Sequence, residues 1–239
     1  MIQRPTIIIG AFLLLISSFP LFLMAREYAV GQNVFNRYEL STARTEFGYD
    51  FSLNSKVTHI NGYTIEIVET PTGEKEQLEE HEIEWGDIPR DIVMAQIVVN
   101  GEKVGEPHRI MLGAREDHTR YHRYIEIMRV KEKEKERIAI IVTQAMDSFN
   151  NSGEWEIIWL DGDNISIETY KRGDNYPLAT RMVNHAGLTD MSFGYYSDIN
   201  HYYPTLFMPL LYPWGTGLFG ALLLLYGVFA HFIGRANRS

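Results

Sequence analysis

Residues 6–25 read TIIIGAFLLLISSFPLFLMA, a run of 20 residues without a charged side chain. At a rise of about 1.5 Å per residue, a helix of this length spans the ~30 Å hydrocarbon core of a bilayer. A cleaved secretory signal has a similar apolar core. It fits less well, because the bulky Leu23 stands where a cleavage site prefers a small residue. We therefore expect a retained transmembrane helix at residues 6–25, after a tail at residues 1–5.

A second uncharged stretch lies towards the other end of the chain, over residues 199–234. It is longer than one membrane crossing needs, and three prolines divide it: Pro204, Pro209 and Pro213. A straight helix does not continue through prolines at this spacing, because each removes a backbone donor and crowds the preceding turn. We expect an interfacial segment at residues 204–212, a second transmembrane helix at residues 213–234 and a tail at residues 235–239.

Aromatic side chains collect where the second apolar stretch begins. They are Tyr195, Tyr196, Tyr202, Tyr203, Tyr212 and Trp214. Amphipathic rings favour the headgroup layer of a membrane, and they are also enriched in protein interfaces. We expect a membrane-interface belt here. A docking surface for a neighbouring membrane subunit is compatible with that belt.

The charges are unevenly divided between the ends and the middle. The whole chain has a net charge of −9, yet the two tails carry only Arg4, Arg235 and Arg238 and no acid. The positive-inside rule therefore predicts that both tails are cytoplasmic and that residues 26–203 are extracytoplasmic, in a periplasm, an exterior or a lumen. The acidic balance argues against a nucleic-acid partner. The lack of cysteine excludes a disulfide framework and thiol chemistry.

Residues 26–203 contain turn and strand patterns typical of an antiparallel sheet. Asn61-Gly62 and Asn100-Gly101 each separate two strand-like runs, and Asp-Gly-Asp-Asn at residues 161–164 separates a third pair. Both residues of an Asn-Gly pair tolerate positive φ, as a tight hairpin turn requires. Residues 124–130 alternate in strand fashion as well.

One segment of this region has helical spacing. Its apolar residues recur at i, i+3, i+4 and i+7, and they are Ile138, Ile141, Val142, Ala145, Met146 and Phe149. A Lys-Glu repeat at residues 131–136 precedes it. We expect this repeat to form either the exposed first turns of the helix or a solvated loop. The patterns together predict an α+β domain, a mostly antiparallel sheet with hairpins and at least one packed helix, between two transmembrane α-helices.

Few sequence patterns indicate a catalytic, metal-binding or cofactor-binding site. His118 and His122 stand four residues apart, as two metal ligands on a helix would, but arginines flank them and no third ligand is evident. The Gly-x-Gly-x-x-Gly pattern at residues 215–220 lacks the preceding strand of a dinucleotide site. The segment 74–87 is rich in Asp and Glu, but it matches no calcium-binding loop pattern. We predict no catalytic residue, no metal site and no cofactor.

The glycines of the second apolar stretch are better explained by helix packing. Gly220, Gly227 and Gly234 recur every seven residues, and Gly10 and Ser17 have the same spacing in the first stretch. Residues at this interval share one face of a helix in a left-handed crossing. Small side chains let two backbones approach closely in lipid. The partner of this face is either the chain's own first helix or another subunit.

These patterns favour a non-catalytic accessory, scaffold or assembly subunit of a larger membrane complex, such as an energy-transducing one. The expected partners are other integral membrane subunits and the lipid bilayer. The alternative is a membrane-tethered extracytoplasmic enzyme, such as a hydrolase of envelope polymers. A ligand sensor fits less well, because tails of a few residues provide no cytoplasmic output domain.

Overall fold

The computed structural model describes residues 3–42, 56–78, 83, 88–113, 120–121, 124–147, 150–189, 192–200 and 210–236. The chain forms two compact units. The first, here called the helical unit, comprises Met1–Gln32 and Phe193–Ser239. The second, the β unit, comprises Asn33–Ser192.

Three helices are present in the described residues. They are α1 (Gln3–Arg37), α2 (Pro177–Ala186) and α3 (Thr216–Ala236). The segments Pro5–Arg37 and Leu210–His231 are long and apolar enough to cross a membrane, which confirms the prediction of two such helices. The side of the membrane on which the remaining residues lie stays a prediction.

Both long helices differ in extent from the apolar runs that predict them. Helix α1 continues through Pro20 and past residue 25 to Arg37. Helix α3 begins at Thr216 rather than at residue 213. The residues before it, Leu210–Gly215, form a short π-type turn in which Tyr212 is extended (φ −140°, ψ 127°). Pro213 therefore lies before the regular helix and not in its first turn.

Among the described residues of the β unit, nine antiparallel strands form two sheets. The strands are β1 (Glu39–Thr42), β2 (Val57–Ile60), β3 (Tyr63–Lys75), β4 (Asp91–Val99), β5 (Glu102–Met111), β6 (Ile125–Glu132), β7 (Lys135–Asp147), β8 (Asn150–Asp161) and β9 (Asn164–Lys171). One sheet has the order β1-β6-β7-β8-β9, and the other has the order β2-β3-β4-β5. Both are antiparallel throughout, as the sequence predicts.

The two sheets share one apolar core. Along β7, Ile138, Ile140 and Val142 belong to this core and face the four-stranded sheet. Ala139 and Ile141 point the other way, because successive side chains of a strand alternate, and they are equally buried. The middle of the five-stranded sheet is thus covered on both faces.

The prediction of a helix over residues 138–149 is wrong as far as residue 147, because Lys135–Asp147 forms strand β7, and Phe149 lies outside the described residues. The run Ile138 to Val142 is buried on both faces of the strand. A strand of this kind has no alternation of apolar and polar residues, and a continuous apolar run also fits helical spacing. The Lys-Glu repeat before it forms the β6–β7 hairpin, in which Lys133 has φ 55°.

The predicted hairpin turns are confirmed. Asn61 and Gly62 join β2 to β3 with φ of 48° and 81°. Asn100 and Gly101 join β4 to β5 with φ of 51° and 87°. The turn of residues 161–164 joins β8 to β9, and the strand expected at residues 124–130 is β6.

Helix α2 covers part of the outer face of the five-stranded sheet. Its Thr180 Oγ1 lies 2.6 Å from the hydroxyl of Tyr170 on β9. Tyr170 stacks on Trp155, whose indole N–H donates to the carbonyl of Leu188 at 3.1 Å. Gly187 ends the helix in the left-handed region, with φ 68°. This is the packed helix of the β unit, and it lies later in the sequence than the predicted one.

Candidate functional site

The predicted small-residue face of α3 lies against α1. A Cβ atom built on Gly10 would lie 2.8 Å from the carbonyl oxygen of Gly220, and one built on Gly220 would lie 2.9 Å from that of Gly10. No real side chain fits such a gap, so the two backbones are in direct contact. Close backbone approach maximises van der Waals packing and admits weak Cα–H···O contacts, which drive helix association in lipid.

The pairing of α1 with α3 is antiparallel. Gly227 of α3 packs against Ile7 of α1, whereas Thr216 pairs with Ser17 through hydroxyl oxygens 2.8 Å apart. Later residues of α1 therefore meet earlier residues of α3. Gly234 lies in α3, and its surroundings are outside the described residues. The two helices form a closed hairpin whose glycine face is occupied by this chain itself.

The outward faces of the helical hairpin carry large apolar side chains. Those of α1 include Ile8, Phe12, Leu15, Phe19 and Phe22. Those of α3 include Leu218, Leu222, Leu225, Tyr226 and Phe229. Within the described part of α1 and α3, these side chains lie outside the contact between the two helices.

A buried carboxylate clamps the segment that precedes the second apolar stretch. Glu27 of α1 is 4 % exposed and lies just beyond the end of the uncharged run. The backbone N–H groups of Tyr195, Tyr196 and Ser197 donate to its two oxygens at 2.7, 2.8 and 2.8 Å. Gly194 completes the turn, because a Cβ there would collide with the Ser197 carbonyl. We call this arrangement the Glu27 clamp.

Two of the predicted interface aromatics belong to the Glu27 clamp. The Arg26 guanidinium lies 4.1 Å from the centre of the Tyr196 ring, a cation–π contact. The Tyr195 ring packs against Gly31, 3.1 Å from where a Cβ would stand. Both tyrosines are thus held against α1 by contacts on the ring and on the backbone.

The other predicted aromatics are distributed differently. The Tyr212 hydroxyl donates to the carbonyl of Ile16 at 3.0 Å, which ties the turn before α3 to α1. Trp214 is exposed. Tyr202 and Tyr203 lie outside the described residues. Three of the six aromatics therefore contact α1. Tyr212 does so from the turn before α3, and Tyr195 and Tyr196 do so in the Glu27 clamp.

The β unit holds a second buried carboxylate, on β3. Both oxygens of Glu69 accept from the Arg120 guanidinium at 2.6 Å, and the Tyr121 hydroxyl donates to it at 2.5 Å. The Lys56 ammonium lies 3.1 Å away. The hydrogen bonds from Arg120 lower the pKa of Glu69 to about 2, against the effect of burial. Burial, helped by the Glu69 charge, raises the pKa of the Tyr121 hydroxyl.

A third carboxylate joins the two sheets. Glu156 of β8 shares a hydrogen bond with His108 Nε2 of β5 at 3.1 Å, and the Gln144 amide donates to its other oxygen at 3.3 Å. A Cβ at Gly105 would lie 2.9 Å from the same carboxylate, so β5 approaches it closely. Each oxygen of Glu156 has a partner within the chain, as for Glu69. Both groups therefore fit a structural role.

No protein-family model matches the chain, and comparisons with curated proteins and with solved structures find no significant match.

In the described residues, the remaining sequence patterns do not form a catalytic, metal-binding or cofactor-binding site. His118 and His122 lie outside them. Gly217 and Gly220 of the glycine-rich pattern at residues 215–220 pack against α1, in keeping with a packing role. No group of three His, Asp or Glu side chains that could hold a metal ion is found in the part of the chain that the structure describes. In the acidic segment, Glu74 pairs with Arg109.

Two sets of contacts made by α1 have little or no signature in the sequence. Arg181 of α2 donates to the carbonyls of Val34 and Tyr38 at 2.8 and 2.6 Å, and so satisfies acceptors at the end of α1. No local pattern identifies such an arginine. The only signal for Glu27 is its position as the first acid after an apolar run. Its partners are backbone groups, which leave no pattern of side chains in the sequence.

The depressed pKa of Glu69 makes the stability of the β unit depend on pH. Its folded pKa of about 2 lies below the ordinary value of 4.5. The ionised Glu69 therefore contributes its full stabilisation above the pKa of the unfolded chain, about 4.5, and this stabilisation is lost as the pH falls from about 4.5 towards 2. As the pH falls from about 4.5 to about 2, the free energy of unfolding of the wild-type chain should decrease by on the order of 2–3 kcal/mol more than that of Glu69→Gln.

Urea unfolding of the full chain in detergent, monitored through the buried Trp155 and Trp159, measures this difference. Glu74→Gln is the matched control, because Glu74 and Arg109 form an exposed ion pair worth little stability. Its pH profile should match that of the wild type. Parallel profiles for the wild type and Glu69→Gln would contradict the assignment.

Proposed function

We propose that this protein is a non-catalytic accessory, scaffold or assembly subunit of a larger membrane complex. The α1–α3 hairpin anchors it in the bilayer, and the β unit lies on the extracytoplasmic side. The tails carry three arginines and no acid, which supports cytoplasmic tails by the positive-inside rule. The antiparallel hairpin supports the same arrangement, since Ile7 and Gly227 lie at one end of it.

The observation that carries the proposal is the construction of the hairpin. One apolar helix is enough to tether a protein to a membrane. Here two helices are in backbone contact at Gly10 and Gly220, and the Glu27 clamp adds a charged acceptor for three backbone N–H groups. Such an anchor holds α1, α3 and the segment 195–197 in one defined arrangement, which a simple tether does not need.

The buried polar groups of the β unit support a structural role over a catalytic one. The oxygens of Glu69 are occupied by Arg120, Tyr121 and Lys56, and those of Glu156 by His108 and Gln144. A catalytic acid or base must reach a substrate, whereas these groups bind one another. Glu156 and His108 join the two sheets, and Glu69 ties β3 to the segment of Arg120 and Tyr121.

The subunit role is tested by extracting the tagged chain at native expression level in a gentle detergent. We expect an integral membrane companion at fixed stoichiometry, which persists through two orthogonal purification steps. A particle that contains this chain alone would contradict the proposal.

The proposed topology has a separate test that uses the absence of cysteine. In intact cells, a membrane-impermeant maleimide should label Asn61→Cys at the exposed β2–β3 turn. Ser239→Cys in the tail should react only after permeabilisation. Labelling of both variants, or of the tail alone, in intact cells would overturn the orientation.

A further inference from the structure

The two apolar helices of the hairpin are staggered along its axis. Gly10 stands at the level of Leu224, since a Cβ atom on Gly10 would lie 2.8 Å from the Leu224 amide nitrogen. The uncharged runs end at Ala25 in α1 and at Gly234 in α3. Counted through the Gly10 level at about 1.5 Å per residue, these two ends lie about 37 Å apart along the axis. The hydrocarbon core of a bilayer is only ~30 Å thick, so residues at one end must lie outside it.

Polar groups of both helices collect at one level of the hairpin. Pro20 of α1 has no N–H for the carbonyl of Ile16, which accepts instead from the Tyr212 hydroxyl at 3.0 Å. The Ser17 and Thr216 hydroxyl oxygens lie 2.8 Å apart beside it. We call this the Ser17 level. It lies well inside the apolar run of α1 and coincides with the first residue of α3.

The turn before α3 lies beyond the Ser17 level and is not regular helix. In this turn, Leu210–Gly215, Tyr212 is extended and Pro213 provides no N–H, so the hydrogen-bond ladder of α3 does not continue through it. The exposed side chains of the turn are Leu210, Leu211, Tyr212 and Trp214. Lipid-exposed backbone of this kind is not tolerated within hydrocarbon, where a polar group without a partner is costly.

Two placements of the hydrocarbon core fit the stagger. If its edge on the side of the Glu27 clamp lies at Ala25, the turn before α3 lies in hydrocarbon. If the edge lies at the Ser17 level, the turn lies outside, and α3 crosses from Thr216 to Gly234 in about 27 Å. Position 4 is then about 6 Å inside the opposite edge, from which an arginine side chain reaches the headgroups at little cost. The irregular turn therefore favours the edge at the Ser17 level.

We propose that the hydrocarbon core ends at the Ser17 level and that the apolar side chains beyond it form a collar that binds the lipid headgroup layer. The members of this interfacial collar are Phe19, Phe22, Leu210, Leu211 and Trp214, all of which are exposed. Phe22 lies about 8 Å beyond Ser17 along α1, within the depth at which interfacial side chains insert. The collar presupposes the membrane-spanning hairpin of the proposed function and is independent of the subunit role.

The same placement puts the Glu27 clamp in water. Glu27 lies about 15 Å beyond Ser17 along α1, whereas the headgroup layer extends only about 5–8 Å from the hydrocarbon. An edge at Ala25 would instead leave Glu27 about 3 Å from hydrocarbon. The carboxylate that holds residues 195–197 therefore acts outside the lipid.

The cysteine-free chain permits a depth measurement with one nitroxide label per variant. The full chain in phosphatidylcholine vesicles is labelled at Ile8→Cys, Leu15→Cys or Phe22→Cys, which are exposed and share one side of α1 at seven-residue spacing. Collisions with dissolved oxygen increase towards the bilayer centre, and collisions with a water-soluble nickel chelate decrease. We expect Ile8→Cys to be deepest, with a loss of about 10 Å of depth at each step to Leu15→Cys and Phe22→Cys.

A matched series on α3 repeats the measurement. Leu225→Cys, Leu218→Cys and Leu211→Cys are exposed and again lie seven residues apart. The antiparallel stagger places Leu225 near the level of Ile8 and Leu218 near that of Leu15. Leu225→Cys should therefore be deepest, and Leu211→Cys should be as accessible to the nickel chelate as a label in the headgroup layer.

The two series have distinct contrary outcomes. Greatest depth at Leu15→Cys and Leu218→Cys would place the edge at Ala25 and overturn the collar. A Leu211→Cys label that is shielded from both reagents would show that a second protein molecule covers the turn, which also contradicts lipid binding there. Nickel access at Ile8→Cys and Leu225→Cys would show that the hairpin does not span the bilayer, and would overturn the membrane anchor of the proposed function as well.

Discussion

Glu27→Ala will release the backbone of residues 195–197 and destabilise the helical unit by about 3–5 kcal/mol. The substitution removes a buried charged acceptor from three N–H groups at once. The methyl group of alanine offers these donors no acceptor in its place. Glu27→Gln keeps one acceptor oxygen, so we expect an intermediate loss.

Amide hydrogen exchange of the full chain in nanodiscs measures this effect. Exchange at residues 195–197 should accelerate at least about 100-fold in Glu27→Ala, since each 1.4 kcal/mol corresponds to a factor of ten. Glu39→Ala is the control, because Glu39 is an exposed acid on β1 whose ammonium partner, Lys131, lies 3.9 Å away. Gly194→Ala should resemble Glu27→Ala. Unchanged protection in both clamp variants would show that the Glu27 clamp does not hold this segment.

Gly220→Ile will separate α3 from α1. Its side chain would occupy the space of the Gly10 carbonyl and the Leu14 amide, and backbone atoms cannot move aside as a side chain can. Overpacking of a close contact costs about 1–3 kcal/mol even where side chains can adjust. We therefore expect a loss at or above the upper end of this range, expressed as an opened hairpin.

A disulfide reporter detects the opening. Ser17→Cys combined with Thr216→Cys should cross-link readily within one chain, because the parent hydroxyl oxygens are 2.8 Å apart. Adding Gly220→Ile should slow this reaction at least about tenfold. Ala11→Ile adds similar bulk on the exposed side of α1 and should leave the rate unchanged. Equal rates for Gly220→Ile and Ala11→Ile would contradict the packing argument.

The turns and the apolar spans were predictable because each depends on local chemistry. Asn61-Gly62 and Asn100-Gly101 provide the positive φ that a two-residue hairpin needs, and their positions fix the strands around them. The apolar runs were recognisable by length alone. The seven-residue spacing of glycines identified a packing face, although it could not identify α1 as its partner.

The misassigned segments depend on tertiary structure. Whether the run from Ile138 to Val142 forms a strand or a helix is decided by the layers that bury both of its faces, one of which packs against the four-stranded sheet. Its four β-branched residues are the local evidence for a strand. Helix α2 does carry a local signal, with Pro177 at its start and Gly187 after its end, but ten residues are too few for a clear apolar period.

The hairpin also has a consequence for biosynthesis. The Ser17–Thr216 contact joins residues 199 positions apart in the chain. A ribosome adds about 5–20 residues per second, so α1 exists for roughly 10–40 s before Thr216 has been made. During that interval the Gly10 face is open to any neighbouring helix. Whatever covers the Gly10 face during that interval must therefore be displaced by α3 when the fold is completed.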